Sequence, residues 1–348
     1  MTFLLGRMAS HSCWSPFVRM TQSPNGQLRT CVYSPPLKGT YGSIEEAFHS
    51  DEMETIRSEM RRDKRRPECE WCYRYEESGQ YSCRQDINER YEGFDFKTQL
   101  QELDFSASNE CNFICVTCNE DASSRWEQRV SEFPFFPPSQ RQPLFSFPKV
   151  NSLKQLTLMG GEPILVFRKD FFVDLPPVEY FQMVTNASLR PPDYFKDYLS
   201  KCDNVCIGIS CDGLGTVGEF VRSGWKQKVW ERNVRHWLDF LGNDHGDDRQ
   251  NGVWINFVIS NYNVKQVPLF RKYCEDADLR LMLTVAEEPK CICPSYLDPE
   301  LKNELFGLDE FVDEILYRSD ENKNEEYISY TRYLNTFTPV PYEDIMWL

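Results

Sequence analysis

The sequence predicts an α/β fold, and three observations lead there. The chain has 348 residues, enough for one large α/β domain or two ordinary ones. Its 41% hydrophobic and 27% charged residues are a globular balance and exclude wholesale disorder. From residue 100 onward, short β-prone runs alternate with segments of helical spacing. Such alternation implies a parallel sheet with right-handed crossovers, either an open sheet or part of a barrel.

The elements follow in order. Residues 17–22 and 27–33 have β character, and Pro24-Asn25-Gly26 between them is a hairpin signal. Ser43, with Glu46 three residues on, has capping-box spacing. Ile44, Ala47 and Phe48 give a short apolar face, which Met53, Ile56 and Met60 continue at helical spacing. Residues 61–66, five of them basic, read as a solvated helix end favoured by the macrodipole, with an anion patch as the minor alternative. Strands are expected at 100–108, 153–159, 178–185, 205–210, 253–260 and 279–286. Helices are expected at 119–130, 191–201, 225–241 and 264–275. Residues 133–148, rich in Phe and Pro, form an irregular connector, and 242–252 an exposed acidic loop. Residues 299–324 read as helical and charged, and the chain ends in a segment rich in Tyr and Pro.

Charge and cysteine usage narrow the function. Lys and Arg number 39 against 54 Asp and Glu, a net charge of −15. A chain this acidic does not coat nucleic acid or an anionic membrane nonspecifically, because like charge repels it. The N-terminal residues lack the basic region and long apolar core of a signal peptide. No apolar run reaches the ~20 residues of a membrane span. The chain therefore reads as cytoplasmic, where its 14 cysteines stay reduced. Reduced and clustered cysteines act as metal ligands or catalytic groups more often than as disulfides.

The most informative stretch runs from Asn109 to Cys118. Cys111, Cys115 and Cys118 stand there in C-x3-C-x2-C spacing, directly after an expected strand. Three thiolates hold three irons of a cubane and leave the fourth open to a ligand. A zinc loop completed by a distant residue, or thiols packed as small hydrophobes, is the plainer alternative. The next strand ends in Gly160-Gly161-Glu162-Pro163. Two glycines at a strand end let backbone approach a ligand closely, and the Glu162 carboxylate accepts from a ligand ammonium.

With both motifs in this order, the chain resembles a radical S-adenosylmethionine enzyme across residues 100–290. The resemblance implies a partial (β/α)6 barrel core. It implies a 4Fe-4S cluster on Cys111, Cys115 and Cys118 whose open iron chelates the amino and carboxylate groups of S-adenosyl-L-methionine (SAM). In that family the reduced cluster cleaves SAM to a 5′-deoxyadenosyl radical that abstracts hydrogen from a substrate. Val184-Thr185-Asn186 is similar to the family's TNG strand end, with Ala187 in place of the glycine. Ser210-Cys211-Asp212-Gly213 is similar to S-x-D-G, and Arg222 follows where a subgroup carries an arginine. By resemblance, Glu162 and the Gly160-Gly161 backbone receive the SAM amino group. Ser210 and Arg222 hold its carboxylate, and Thr185 and Asn186 lie near the ribose. Taken alone, Arg222 also suits a solvent-facing helix. The family often has an aromatic just before its last cysteine; here Thr117 stands there.

Cys13, Cys31, Cys69 and Cys72 form a second set, a hairpin cysteine plus a C-x2-C knuckle. By ligand count it suits zinc or a second 4Fe-4S cluster. Cys13-x2-Pro16, Cys31, Cys69-x2-Cys72 and Glu76-x2-Gly79 resemble a twitch domain, the single-cluster relative of the SPASM domain, and that resemblance implies iron. Twitch domains usually follow the radical SAM core, whereas this set precedes it. Cys83 is an alternative fourth ligand. Cys202, Cys206, Cys211 and Cys274 read as packing residues, and Cys291-Ile292-Cys293 is too tight for a standard site.

The expected organisation is a small α+β auxiliary-cluster domain at 1–95, the radical SAM core at 96–290 and a mostly helical segment at 291–348. The expected activity is hydrogen abstraction from a small-molecule or peptide substrate, with an electron donor such as flavodoxin or ferredoxin. The alternative is a cysteine-rich zinc-binding interaction module without catalysis. No catalytic side chain is assigned by these motifs.

Overall fold

The structure is a computed structural model that describes residues 11–77, 79, 81–93, 98–129, 141–150, 152–242, 252–319 and 321–344. The strands among them are β1 (Arg19–Gln22), β2 (Leu28–Arg29), β3 (Glu102–Ser106), β4 (Ile114–Cys115) and β5 (Gln155–Met159). They continue as β6 (Tyr180–Thr185), β7 (Asn204–Ser210), β8 (Arg222–Ser223), β9 (Gly252–Ile259) and β10 (Arg280–Val285). The chain divides into two compact units, Met1–Ser108 with Gln140–Met159, and Asn109–Ser139 with Gly160–Leu348.

In the first unit, β1 pairs antiparallel with β2 across the expected Asn25-Gly26 turn. It also pairs parallel with β3, which pairs parallel with β5. Phe17 is not in the strand but in a short helix, Ser15–Val18, because Pro16 sits in the first turn where its missing N–H costs nothing. Arg19 and Arg90 both pair with the buried Glu102, and Thr21 Oγ1 donates to Asp104 at 2.8 Å. The expected apolar helix face divides into two helices, Ile44–Phe48 and Asp51–Arg61. Ser43 accepts from Glu46 N–H at 3.0 Å, and Ser50 starts the second helix by accepting from Met53 N–H at 3.3 Å. The Glu46 carboxylate reaches Gly42 N–H, so the capping box is incomplete. The basic run at 61–66 is a helix end with acidic partners: Arg61 meets Glu54, Lys64 meets Glu59, and Arg65 meets Glu70 and Glu77.

In the second unit, β6, β7, β9 and β10 pair parallel in the order β6-β7-β9-β10. The helices Asp193–Leu199, Gln227–Leu241 and Val267–Asp276 cross over between them. Phe181, Met183, Ile207, Ile209, Ile255 and Phe257 are buried along these strands. The long crossover helix adds Trp230, Val234 and Trp237 from one face. Thr185 pairs with Ile209, and Ser210 with Asn256, so the C-terminal strand ends lie level. That is the edge at which parallel sheets present ligands.

All six expected core strands are present, with ends that agree to within two residues. The helix expected at 119–130 forms only at Ser124–Glu127. Asn119 Oδ1 accepts from Asp121 and Ala122 N–H at 3.1 Å each, a local turn that competes with helix. Val130, residues 133–140 of the connector and residues 243–251 of the acidic loop lie outside the described residues. The C-terminal segment forms Pro299–Leu305, Glu310–Leu316 and a third helix, Asn324–Leu334. Among the described residues no helix is long and apolar enough to cross a membrane.

Candidate functional site

The cysteine loop of the second unit is held from several directions. Ile114 and Cys115 form β4 and pair antiparallel with Ser223 and Arg222 of β8. Val116 N–H donates to Val221 O at 2.9 Å. Cys111 N–H donates to Ser124 Oγ at 3.2 Å, and Ser123 Oγ donates to Phe113 O at 2.9 Å. Cys115 is buried, while Cys111 and Cys118 are half-buried. Contact with the Cys118 thiol, together with burial, pushes the Cys115 thiol well above its ordinary value. Burial, helped by Cys115, pushes the Cys111 thiol up to about 12. Cys111 thus lies within electrostatic reach of Cys115, and Cys115 within reach of Cys118.

Gly161 explains why the strand end needs glycine. Its φ is +52°, and a Cβ there would stand 2.1 Å from Glu110 O. Glu162 N–H donates to that same carbonyl at 2.8 Å. The body pressed against Gly161 is therefore the backbone of Asn109 and Glu110, which carries the cysteine loop. Glu162 itself is buried at 1% exposure. Its carboxylate accepts from Thr185 Oγ1 at 2.7 Å, Asn186 N–H at 2.7 Å and Ile164 N–H at 3.2 Å. Burial raises its pKa against the pull of these three donors. Asn186 Nδ2 continues the chain to Asn112 Oδ1 at 3.0 Å, inside the cysteine loop. Ala187, where the resembled motif has glycine, keeps a left-handed φ of +51°.

Arg222 is not solvent-facing. It is 8% exposed, and its Nε stands 2.7 Å from Asp212 Oδ2. Its Nη1 points at Cys115 Sγ, 3.7 Å away. Burial pulls the guanidinium pKa down, but the Asp212 charge and the Cys115 and Cys118 thiols raise it further. Asp212 Oδ1 accepts from Val258 N–H at 2.9 Å. The sequence shows Asp212 only as part of a motif; the fold adds its partnership with Arg222. Ser210 closes β7, and its carbonyl accepts from Trp230 Nε1 at 3.1 Å.

Beside Cys118 lies a cavity of about 270 Å³. Thr117, Asn119 and Val258 line it together with residues 284–288, which end in Glu287 and Glu288. Its far wall is the C-terminal end of β10, a position that no sequence motif marks. Cys291 is buried in one 3-10 turn and Cys293 is buried between it and the next, with Cys293 Sγ 3.0 Å from Ser295 Oγ.

The second cysteine set lies within the first unit. Cys13 and Cys72 are buried, Cys31 and Cys69 are half-buried, and Cys83 is exposed. Burial, with the charges of Cys31, Cys69 and Cys72, raises the Cys13 thiol well above its ordinary value. Burial takes Cys69 to about 11 and Cys72 to about 12, and Cys31 adds to both. Cys83 also feels Cys31, so both candidate fourth ligands remain near the set. Trp71, within the knuckle, stacks on Tyr33 at 3.9 Å and on Tyr75 at 4.3 Å. All 14 cysteines are free thiols. Among the described residues, no three His, Cys, Asp or Glu side chains converge tightly enough to ligate one metal ion.

No protein-family model matches the chain, and no curated protein matches it by sequence. Solved structures do match at a distance. Native anSMEcpe with bound AdoMet is 17% identical over 66% of this chain and 58% of its own, with a TM-score of 0.38. Streptococcus suis SuiB bound to S-adenosylmethionine is 18% identical over 61% and 44%, with a TM-score of 0.37. TYW1 with a lysine-pyruvate adduct bound is 19% identical over 47% and 51%, with a TM-score of 0.28. The chain thus spans little more than half the length of anSMEcpe. Likenesses this distant decide neither the fold nor the chemistry of this chain, which rest on its own residues.

Proposed function

We propose that the chain is a radical SAM enzyme with a partial (β/α)6 barrel core. The observation that carries the reading is one pinned loop bearing Cys111, Cys115 and Cys118, tied through Asn112 and Asn186 to the buried Glu162 carboxylate. The donor set is all thiol, which suits iron–sulfur chemistry. The Arg222 guanidinium at Cys115 offsets part of the thiolate charge such a cluster brings.

Cys111, Cys115 and Cys118 would hold the 4Fe-4S cluster. When bound, the cluster and SAM supply a 5′-deoxyadenosyl radical able to abstract hydrogen from an unactivated C–H group. A carboxylate offers about four acceptor positions, and Glu162 uses three of them internally, leaving one for the SAM ammonium. Gly160 and Gly161 would border the same group, Ser210 and Arg222 the SAM carboxylate, and Thr185 and Asn186 the ribose. The cavity beside Cys118 would leave room for a substrate next to the cluster. Cys13, Cys31, Cys69 and Cys72 would hold an auxiliary 4Fe-4S cluster in a twitch-like domain, with Cys83 as the other candidate ligand. The substrate would be a small molecule or peptide, and the donor a flavodoxin or ferredoxin in the cytoplasm.

The test is anaerobic reconstitution followed by iron and sulfide analysis and assay of 5′-deoxyadenosine with a strong reductant. Wild type should form it and Cys115→Ala should not. Equal rates in the two proteins would overturn the reading, and zinc as the sole metal would favour the interaction module instead.

A further inference from the structure

Two aromatic side chains far apart in sequence donate to consecutive carbonyls of the cysteine loop. Trp126 Nε1–H donates to Cys115 O at 2.8 Å, and Tyr330 O–H donates to Val116 O at 2.8 Å. Both rings are buried, at 2% and 0% exposure. Tyr330 sits 214 positions from its acceptor, on the helix Asn324–Leu334.

That helix is itself held by hydroxyl groups. Tyr262 and Thr331 share a hydrogen bond of 2.9 Å, Thr331 Oγ1 donates to Tyr327 O at 2.8 Å, and Tyr327 meets Tyr342 at 2.9 Å. Val116, Trp126, Tyr262, Tyr327 and Tyr330 pack in one apolar cluster with Ile114. Burial keeps the Tyr330 phenol protonated, so it remains a donor. The C-terminal helix is therefore built into the back of the cysteine loop.

We infer that Tyr330 and Trp126 are positioning residues that fix the peptide dipoles between Cys115 and Cys118 and thereby set the charge environment of the group these thiols hold. The inference rests on the radical SAM reading. A carbonyl whose oxygen receives a hydrogen bond presents less negative potential to a neighbouring sulfur. Loss of that bond favours the less negative, oxidised form of a cluster and lowers its reduction potential.

The test uses the full chain with Tyr330→Phe, which keeps the ring and removes only the hydroxyl. Amide hydrogen exchange at residues 113–117 should quicken in the metal-free protein. The cluster's midpoint potential should fall at an iron content equal to that of wild type. Trp126→Phe should shift both readouts in the same direction through Cys115, and stands in if Tyr330→Phe does not fold. Tyr327→Phe is the control, since its hydroxyl meets Tyr342 rather than the loop; it should lower the melting temperature and leave the potential in place. An unchanged potential and loop exchange in both positioning variants would overturn the inference, as would an equal shift in Tyr327→Phe. A wild type that takes up no cluster would overturn the functional reading and its potential arm together, while unchanged loop exchange would defeat the inference alone.

Discussion

Arg222 stands with its Nη1 3.7 Å from the sulfur of Cys115, a residue 107 positions earlier in the chain. Asp212 holds the guanidinium from the other side at 2.7 Å, and both partners of that ion pair are buried. A guanidinium so placed faces the Cys115 sulfur with little competition from water.

Asp212→Asn tests this arrangement. The amide can still accept from Val258 N–H but leaves the buried guanidinium without its counter-charge. Removing one partner of a buried pair costs about 3–5 kcal/mol. Denaturant unfolding of the metal-free protein should show a loss in that range. A loss below about 1 kcal/mol would mean that the pair does not hold Arg222.

Gly161→Ala should disturb the cysteine loop more than its backbone strain alone predicts. A left-handed Ala costs about 1–2 kcal/mol. Here the new methyl also meets Glu110 O, so the segment leading to Cys111 must move. Gly215→Ala is the comparison, with φ of +57° and open space around its Cβ position. Reconstituted iron should drop in Gly161→Ala and stay near wild type in Gly215→Ala. Equal retention in both would separate Gly161 from the loop.

The raised thiols predict opposite pH trends for the metal-free and loaded proteins. Cys111 rises from 9.0 to about 12, and Cys72 likewise. A pKa raised on folding contributes stability that is full below the unfolded value and lost as pH climbs toward the folded one. The metal-free protein should therefore lose stability between about pH 9 and 12. Metal uptake needs thiolate and releases protons, so it should improve as pH rises from 7 toward 9. Thermal melts and iron uptake across this range check the two signs, and uptake that falls with pH would contradict the thiol assignment.

Cys69→Ala with Cys72→Ala should lower iron and sulfide per chain while leaving 5′-deoxyadenosine formation in place. The two cysteine sets belong to different compact units, so loss of one metal should leave the other loop folded. Zinc in the wild-type protein, removed by the double substitution, would show a structural metal in place of an auxiliary cluster. Loss of all iron would show that folding of the two sets is coupled.

Local chemistry was legible in the amino-acid sequence wherever neighbours in the chain decide it. The six core strands follow from their apolar runs, the Asn25-Gly26 hairpin from its turn residues, and the helix Ile44–Phe48 from Ser43. The thiol spacing at 111–118 and the Gly-Gly-Glu-Pro strand end are likewise short-range patterns. Folding decided what these residues meet. Gly161 makes room for the cysteine loop's own backbone, and Glu162 spends three acceptor positions on its own unit. Asp212 became the partner of Arg222, and Tyr330 a support of Val116, because strand pairing and helix packing join segments up to 214 positions apart. Periodicity reports which face a residue shares with its near neighbours, but a hydrogen bond or ion pair between distant segments exists only once the core has closed around it.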